Sequence, residues 1–302
     1  FDDDFDIMES VAPPAVGVAE NPTISFSSGA VKVDAYAQAK LVTLNDNSGR
    51  LFDLRRRLDK SVVVANTDLY DDIDESNLVG ERIAHAAIGA IRTTDIVTIS
   101  FSKPKTVTHQ LPADGKRMPS AQSAFLSFGE AIRRACQIEL DIDPDEIIAG
   151  LQPATINGIP SFRIFLADRL ENGAGYATEI AEPQRLSNLL HEARKDLEQS
   201  WTSEAHSNCD SSCPDCLRSY NNRLLHGSLD WRLALDMFDL AVGDELDLQR
   251  WLSHGDSAAS NIAAAGHGAY DVIDLAGLKA LHSEYADKIS ILGHPLWRRD
   301  SE

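Results

Sequence analysis

Cys209-Asp210-Ser211-Ser212-Cys213-Pro214-Asp215-Cys216 is the stretch that decides how this chain folds. It holds three of the four cysteines in 302 residues, spaced Cys-x3-Cys-x2-Cys. Thiolates this close can share one soft cation, and tetrahedral Zn2+ takes Cys and His ligands at such short separations. The polar Asp210-Ser211-Ser212 and the Pro214-Asp215 step suit a tight turn around an ion. The competing reading is a disulfide with a spare thiol. Four cysteines in a chain of this length make no disulfide framework. Zn2+ is therefore the expected cofactor, held by Cys209, Cys213 and Cys216.

Three residues compete for the fourth position. His226 lies ten residues beyond Cys216 and ranks first; His206, just before the cluster, ranks second. Cys136 is set aside, because Phe125, Phe128, Ile132, Ala135 and Cys136 recur at helical spacing and read as an apolar face. A closed Cys3His site leaves no position for a reacting water, so it stabilises rather than catalyses. Zinc deaminases also use Cys-x2-Cys, but need a His-x-Glu or Cys-x-Glu upstream. His191-Glu192 lacks the intervening residue, and His282-Ser283-Glu284 follows the cysteines.

Charge narrows the partners. The chain carries 28 Lys+Arg against 47 Asp+Glu, a net charge of -19, with 43% hydrophobic residues. Such a surface repels phosphate backbones on average, so any DNA contact is expected to be local, as at Arg55-Arg56-Arg57, or made jointly with another protein. No stretch has the length and apolarity of a transmembrane helix and no signal peptide opens the sequence, so a cytoplasmic protein without a membrane partner is expected. The opening Phe1-Asp2-Asp3-Asp4-Phe5-Asp6 lacks an initiator Met and reads as a cut from something longer.

The pattern predicts an α/β (α+β) fold: a mixed sheet with flanking helices and a Cys3His-type zinc knuckle. Residues 1–22 read as an acidic linker or arm, 23–255 as the zinc-binding domain and 256–302 as a C-terminal extension. Strands are expected over Thr23–Val33, Leu51–Ala65, Asp95–Phe101 and Phe162–Ala167. Helical composition marks Glu81–Ile91, Ser120–Leu140, Ser187–Trp201 and a helix capped by Asp230, with a short one starting at Asp143-Pro144. Lys103–Pro119 reads as a loop, Ser257–Gly268 as an Ala/Gly/Ser-rich segment and Ile289–Leu292 as a last strand. Asn172-Gly173-Ala174-Gly175-Tyr176 is a tight turn whose Gly173 and Gly175 can bring backbone amides near an anion. Thr178 stands where a dinucleotide fingerprint needs its third Gly, and no Gly-x4-Gly-Lys-Ser/Thr occurs, so ATP hydrolysis by this chain alone is not expected.

The order of these pieces carries a resemblance. Asp168, the Asn172–Tyr176 turn, an amphipathic helix, Cys209-x3-Cys213-Pro214-Asp215-Cys216-Leu217-Arg218-Ser219-Tyr220-Asn221-Asn222, His226 and Leu229-Asp230 follow one another, with Ile91-Arg92-Thr93-Thr94-Asp95 ahead of a strand. This resembles the MrfA-type zinc-binding domain family at the C-terminal end of DEAD/DEAH-box helicases. Asn172 stands where the family has Gly, and Trp231 where Arg is common. Some members have four knuckle cysteines.

The resemblance implies a non-catalytic, zinc-stabilised accessory module of a superfamily 2 helicase or of a helicase-associated DNA repair or anti-phage (DISARM-like) complex. The motor would lie in the same or another chain, and DNA would be met through the assembly. Arg218 and Arg223, beside the knuckle, are the candidate nucleic-acid contacts. A protein-interaction subunit without DNA contact and a zinc-dependent hydrolase or nuclease are the alternatives. No catalytic residue is assigned.

Overall fold

The computed structural model describes residues 11–17, 21–45, 51–64, 75–101, 119–156, 159–206, 209–243, 246–247 and 250–251. The expected segments at 103–118, 257–268 and 289–292 lie outside them. Nine strands form two sheets. The larger has the order β1 (Val11–Gly17), β3 (Val31–Asn45), β7 (Ile88–Phe101), β9 (Ile159–Asp168), β8 (Ile147–Ile156), with β2 (Ile24–Ser28) also on β3. The smaller is β5 (Val62–Val64), β4 (Phe52–Arg57), β6 (Leu78–Ala86). The α+β class holds; the sheet expected to be mixed is antiparallel in every described pairing.

β7 is the spine. Residues 94–101 are buried on both faces, the polar Thr94, Asp95, Thr98 and Ser100 included. Val97, Ile99 and Phe101 point to the helices. Ile96 points the other way and joins Ala39, Leu41, Phe165 and Ala167 in a second, smaller cluster. β1 comes back beside β8, so the sheet curls around that cluster. Pro153 sits in β8, at the end of the strand order, where a missing N–H costs no ladder bond.

Helix α1 (Pro119–Leu140) lays Phe125, Phe128, Ile132 and Cys136 on the helix-facing side of the sheet. Phe101 meets the Phe125 and Phe128 rings, each at 5.8 Å. A short helix α2 (Tyr176–Ile180) and α3 (Pro183–Thr202) follow β9. Helix α4 (Trp231–Val242) is enclosed almost all round, and Phe128 meets its Phe238 edge-on at 4.8 Å. Asp230 caps it by accepting from Arg232 N, and Gly243 ends it with φ of 91°.

Burial pushes the Cys136 thiol well up, keeping it a neutral core group. Cys136→Ala is therefore expected to leave zinc content unchanged and to cost about 1 kcal/mol; metal loss on this substitution, measured by elemental analysis, would place Cys136 at the metal.

Two helix expectations fail. Glu81–Ile91 forms strands, not a helix: the alanines suit a helix, but β4 and β3 offer backbone partners to the whole segment. Gly80 (φ 80°) and His85 (φ 57°) also break a helical path. At Asp143-Pro144 only a turn forms, Glu146 N donating to Asp143 O (3.0 Å). Ile147 and Ile148 then pair with Asp168 and Ala167 of β9.

Candidate metal centre

The site is built where α3 runs out. A 3-10 turn, Glu204–His206, follows the helix, and Cys209 N donates to His206 O (2.9 Å). The chain then wraps around Cys213, whose carbonyl accepts from Cys216 N, Leu217 N and Arg218 N at 3.1, 3.1 and 2.9 Å. Cys213 N donates to Cys216 Sγ at 3.0 Å, a contact that holds the sulfur and lowers its negative charge density.

Two of the three sulfur–sulfur spacings fit zinc chemistry. Cys213 Sγ and Cys209 Sγ lie 3.6 and 3.8 Å from Cys216 Sγ. A disulfide would bring two sulfurs to about 2.05 Å. A tetrahedron of zinc–sulfur bonds of about 2.3 Å has edges of about 3.8 Å, which these separations match. All four cysteines are free thiols. Burial first, then the neighbouring thiols, push the Cys209 pKa up, and burial does the same at Cys216. Three thiolates cannot collect here without a cation, and a dication inverts that balance.

His206 closes the cluster. A ring nitrogen of His206 and the sulfurs of Cys213 and Cys216 all lie within 4.8 Å of one another. His206 is 7% exposed, and its buried Nε2 has no hydrogen-bond partner among the described residues. A buried ring nitrogen left without a partner carries a cost that a metal bond would remove.

His226, ranked first from the sequence, is held elsewhere. Its Nε2 lies 3.0 Å from both Ser219 O and Asn222 Oδ1. The Asn222 amide is oriented by its Nδ2, which donates to Glu130 Oε2 and Leu217 O, each at 2.8 Å. Both atoms facing His226 Nε2 are therefore acceptors, so that nitrogen carries the proton and has no lone pair for a metal.

Glu130, Arg133 and Asn222 form a buried brace between α1 and the knuckle, with Arg133 Nε donating to Glu130 Oε2 (2.8 Å). Sequence reading missed it, although Ser219 and Asn222 stood in the motif. The brace has a second half: Trp231 N donates to Ser211 O (2.9 Å), Arg232 Nη2 to Asp210 O (2.6 Å), and Trp201 stacks on Trp231 at 3.9 Å.

The other singled-out residues have structural partners. Arg218 Nε donates to Ser212 Oγ within the knuckle (2.9 Å). The Arg223 guanidinium lies 4.9 Å from the Tyr220 ring centre. The glycine turn does gather amides around an anion, and the anion is internal. Ala174 N, Gly175 N, Tyr176 N and Ala177 N donate to the Asp168 carboxylate at 2.7, 2.7, 3.1 and 2.8 Å. Gly173 (φ 77°) leaves no room for a Cβ beside Asp95.

Residues 128–217 match the family model of the MrfA Zn-binding domain. This segment is similar to the MrfA-type zinc-binding domains. The matched range contains Cys209, Cys213, Cys216 and His206, and stops short of His226. With the His/Cys cluster, it makes zinc the cofactor of the site.

The Druantia protein DruE of Escherichia coli (strain UMEA 4076-1) is 31% identical over 125 residues, which are 40% of this chain and 6% of that protein. The crystal structure of the DUF1998 helicase MrfA bound to DNA aligns with 76% of this chain and 25% of that one, at TM-score 0.43 and 11% identity. The structure of MrfA bound to DNA and AMPPNP aligns with 76% and 22%, at 0.33 and 12%. The chain thus spans a small part of the proteins it matches. No described helix of this zinc-binding chain is long and apolar enough to cross a membrane.

Proposed function

We propose that the chain is a non-catalytic, zinc-stabilised accessory module of a superfamily 2 DNA helicase, or of a helicase-associated repair or anti-phage complex, and that it braces the motor and helps to guide DNA. The motor would belong to the same or another polypeptide. The observation that carries this reading is the closed metal site. His206, Cys213 and Cys216 offer ligand atoms within 4.8 Å of one another, and Cys209 Sγ lies 3.8 Å from Cys216 Sγ; with these four as ligands the tetrahedron has no open position for a reacting water. A site of this kind joins elements. Here it ties the end of α3 to the knuckle, and the knuckle is bonded to α4 through Ser211 and Asp210. The family match and the Druantia relative support the setting.

In this reading His206 Nε2 is the fourth ligand and His226 a brace. His206→Ala is expected to drop zinc from about one per chain to near zero after dialysis, while His226→Ala keeps it. The reverse pattern in elemental analysis would return the fourth position to His226. The accessory role is tested with the cognate motor. Unwinding by the intact assembly should fall at least about tenfold with His206→Ala, by loss of the brace. Unchanged unwinding with zinc gone would overturn the bracing role.

A further inference from the structure

The smaller sheet differs in charge and exposure from the rest of the chain. The whole sequence has 28 Lys+Arg against 47 Asp+Glu. Yet the β5–β4–β6 sheet and its β4–β5 turn carry Arg55, Arg56, Arg57, Lys60 and Arg82 against only Asp53, Asp59 and Glu81. Two of those carboxylates are engaged within the sheet. Asp53 pairs with Arg82 and accepts from His85 N (3.3 Å). Asp59 accepts from Ser61 N and Oγ at 2.8 and 2.6 Å. β4 starts buried at Phe52 and Asp53 and becomes exposed at Arg56 and Arg57. β6 is exposed from Gly80 to His85.

The register sorts the side chains by face. β4 is regular against β5, with Leu54, Arg55 and Arg56 opposite Val64, Val63 and Val62. Alternation therefore puts Arg55 and Arg57 on the Asp53 face, about 7 Å apart along the strand. The extra residues of the irregular pairing lie in β6, where Gly80 and His85 have positive φ. Such bulges re-aim side chains, and Arg82 reaches Asp53 on that same face. Of the exposed aliphatics, Val62 and Ile83 are opposite Arg56 and Leu54 and so belong to the other face, and Leu58 lies in the β4–β5 turn.

We propose that the Arg55–Arg57–Arg82 face of the small sheet contacts the phosphate backbone of nucleic acid. A row of guanidiniums with Val62 and Ile83 turned away suits a polyanion, whose binding comes from charge neutralisation and counterion release. A folded protein partner would need an apolar centre on the same face. The proposal rests on the reading that the module works on DNA, and it gives that role a surface distant in sequence from the knuckle.

The test uses the whole chain and anisotropy of a labelled single strand and a labelled duplex, from about 50 to about 200 mM salt. Native protein binds at the low-salt end. Arg55→Glu with Arg57→Glu weakens binding at least about tenfold there and reduces the log–log salt slope by about two, with zinc content and melting midpoint unchanged. If the double reversal does not fold, Arg55→Gln with Arg57→Gln is read the same way. Arg218→Glu with Arg223→Glu leaves the slope within about one of native.

Three results would each overturn the proposal: no native binding to either nucleic acid, affinity that moves only with the Arg218 and Arg223 changes, or equal displacement of DNA by oligoglutamate, which would make the face a site for acidic protein. None of them touches the His206 and motor measurements, so the accessory reading stands or falls separately.

Discussion

Cys213→Ser should strip the metal and most of the stability of the zinc-binding segment. Serine keeps the backbone turn, in which the Cys213 carbonyl accepts three N–H groups, so the change isolates the sulfur. Without it Cys209 and Cys216 remain 3.8 Å apart, and burial opposes the ionisation of both, with the Cys216 thiol adding to this at Cys209. Two thiols and one imidazole hold zinc far more weakly than a full tetrahedral set.

Structural zinc contributes on the order of 10 kcal/mol in small finger peptides. In a domain with its own core the loss should be at least about 4 kcal/mol, a fall in melting midpoint of about 10 °C. The Trp201–Trp231 stack lies against the knuckle through Ser211, so tryptophan emission should shift as zinc leaves. Full zinc content with a midpoint within a degree or two of native would remove the metal from its structural role.

Arg250→Ala should be the most damaging change away from the metal. Helix α4 is enclosed on nearly every side, yet it carries Asp236 and Asp239, whose side chains are 0% and 1% exposed. Arg250 bonds both carboxylates, Trp251 Nε1 donates to Asp236 (2.8 Å), and Arg194 of α3 bonds Asp239. Among the described residues, removing the arginine leaves Arg194 as the one cation on these two buried carboxylates. Breaking a buried pair in this way costs about 3–5 kcal/mol, although the intact pair contributes little net stability.

The pH dependence follows from the sign of the shift. Burial already raises the Asp239 pKa against the pull of Arg194 and Arg250. Losing Arg250 raises it further, so the folded variant binds protons that its unfolded form does not. Its stability therefore falls as pH rises through that pKa, and the deficit relative to native is largest at neutral pH and shrinks in mild acid. Urea midpoints at both pH values measure this. A neutral-pH loss below about 1 kcal/mol would mean that the cluster is not sealed from water.

Local pattern was legible wherever the chain's own periodicity decided the outcome. Phe125, Phe128, Ile132 and Cys136 lie on the buried face of α1, as their spacing requires. Asp230 caps α4. The three cysteines converge because seven residues cannot carry Cys209 and Cys216 far apart once the knuckle turns. What failed was decided by partners remote in sequence. Glu81–Ile91 has the composition of a helix and becomes strand because β3 and β4 complete its hydrogen bonds. The glycine turn looked open to an anion until the fold supplied Asp168.

The fourth corner of the metal site is the clearest division. The sequence by itself pointed to zinc and to a histidine near the knuckle as the expected fourth ligand. It could not choose between His206 and His226, because a ring nitrogen's role depends on what its neighbours leave to it. Asn222, oriented by Glu130 from a helix ninety-two residues earlier, turns an acceptor toward His226 and makes its Nε2 a donor. His206 is buried against the thiols with its Nε2 unpartnered among the described residues. The proposed division into brace and ligand thus rests on a hydrogen bond between distant segments, which no local spacing records.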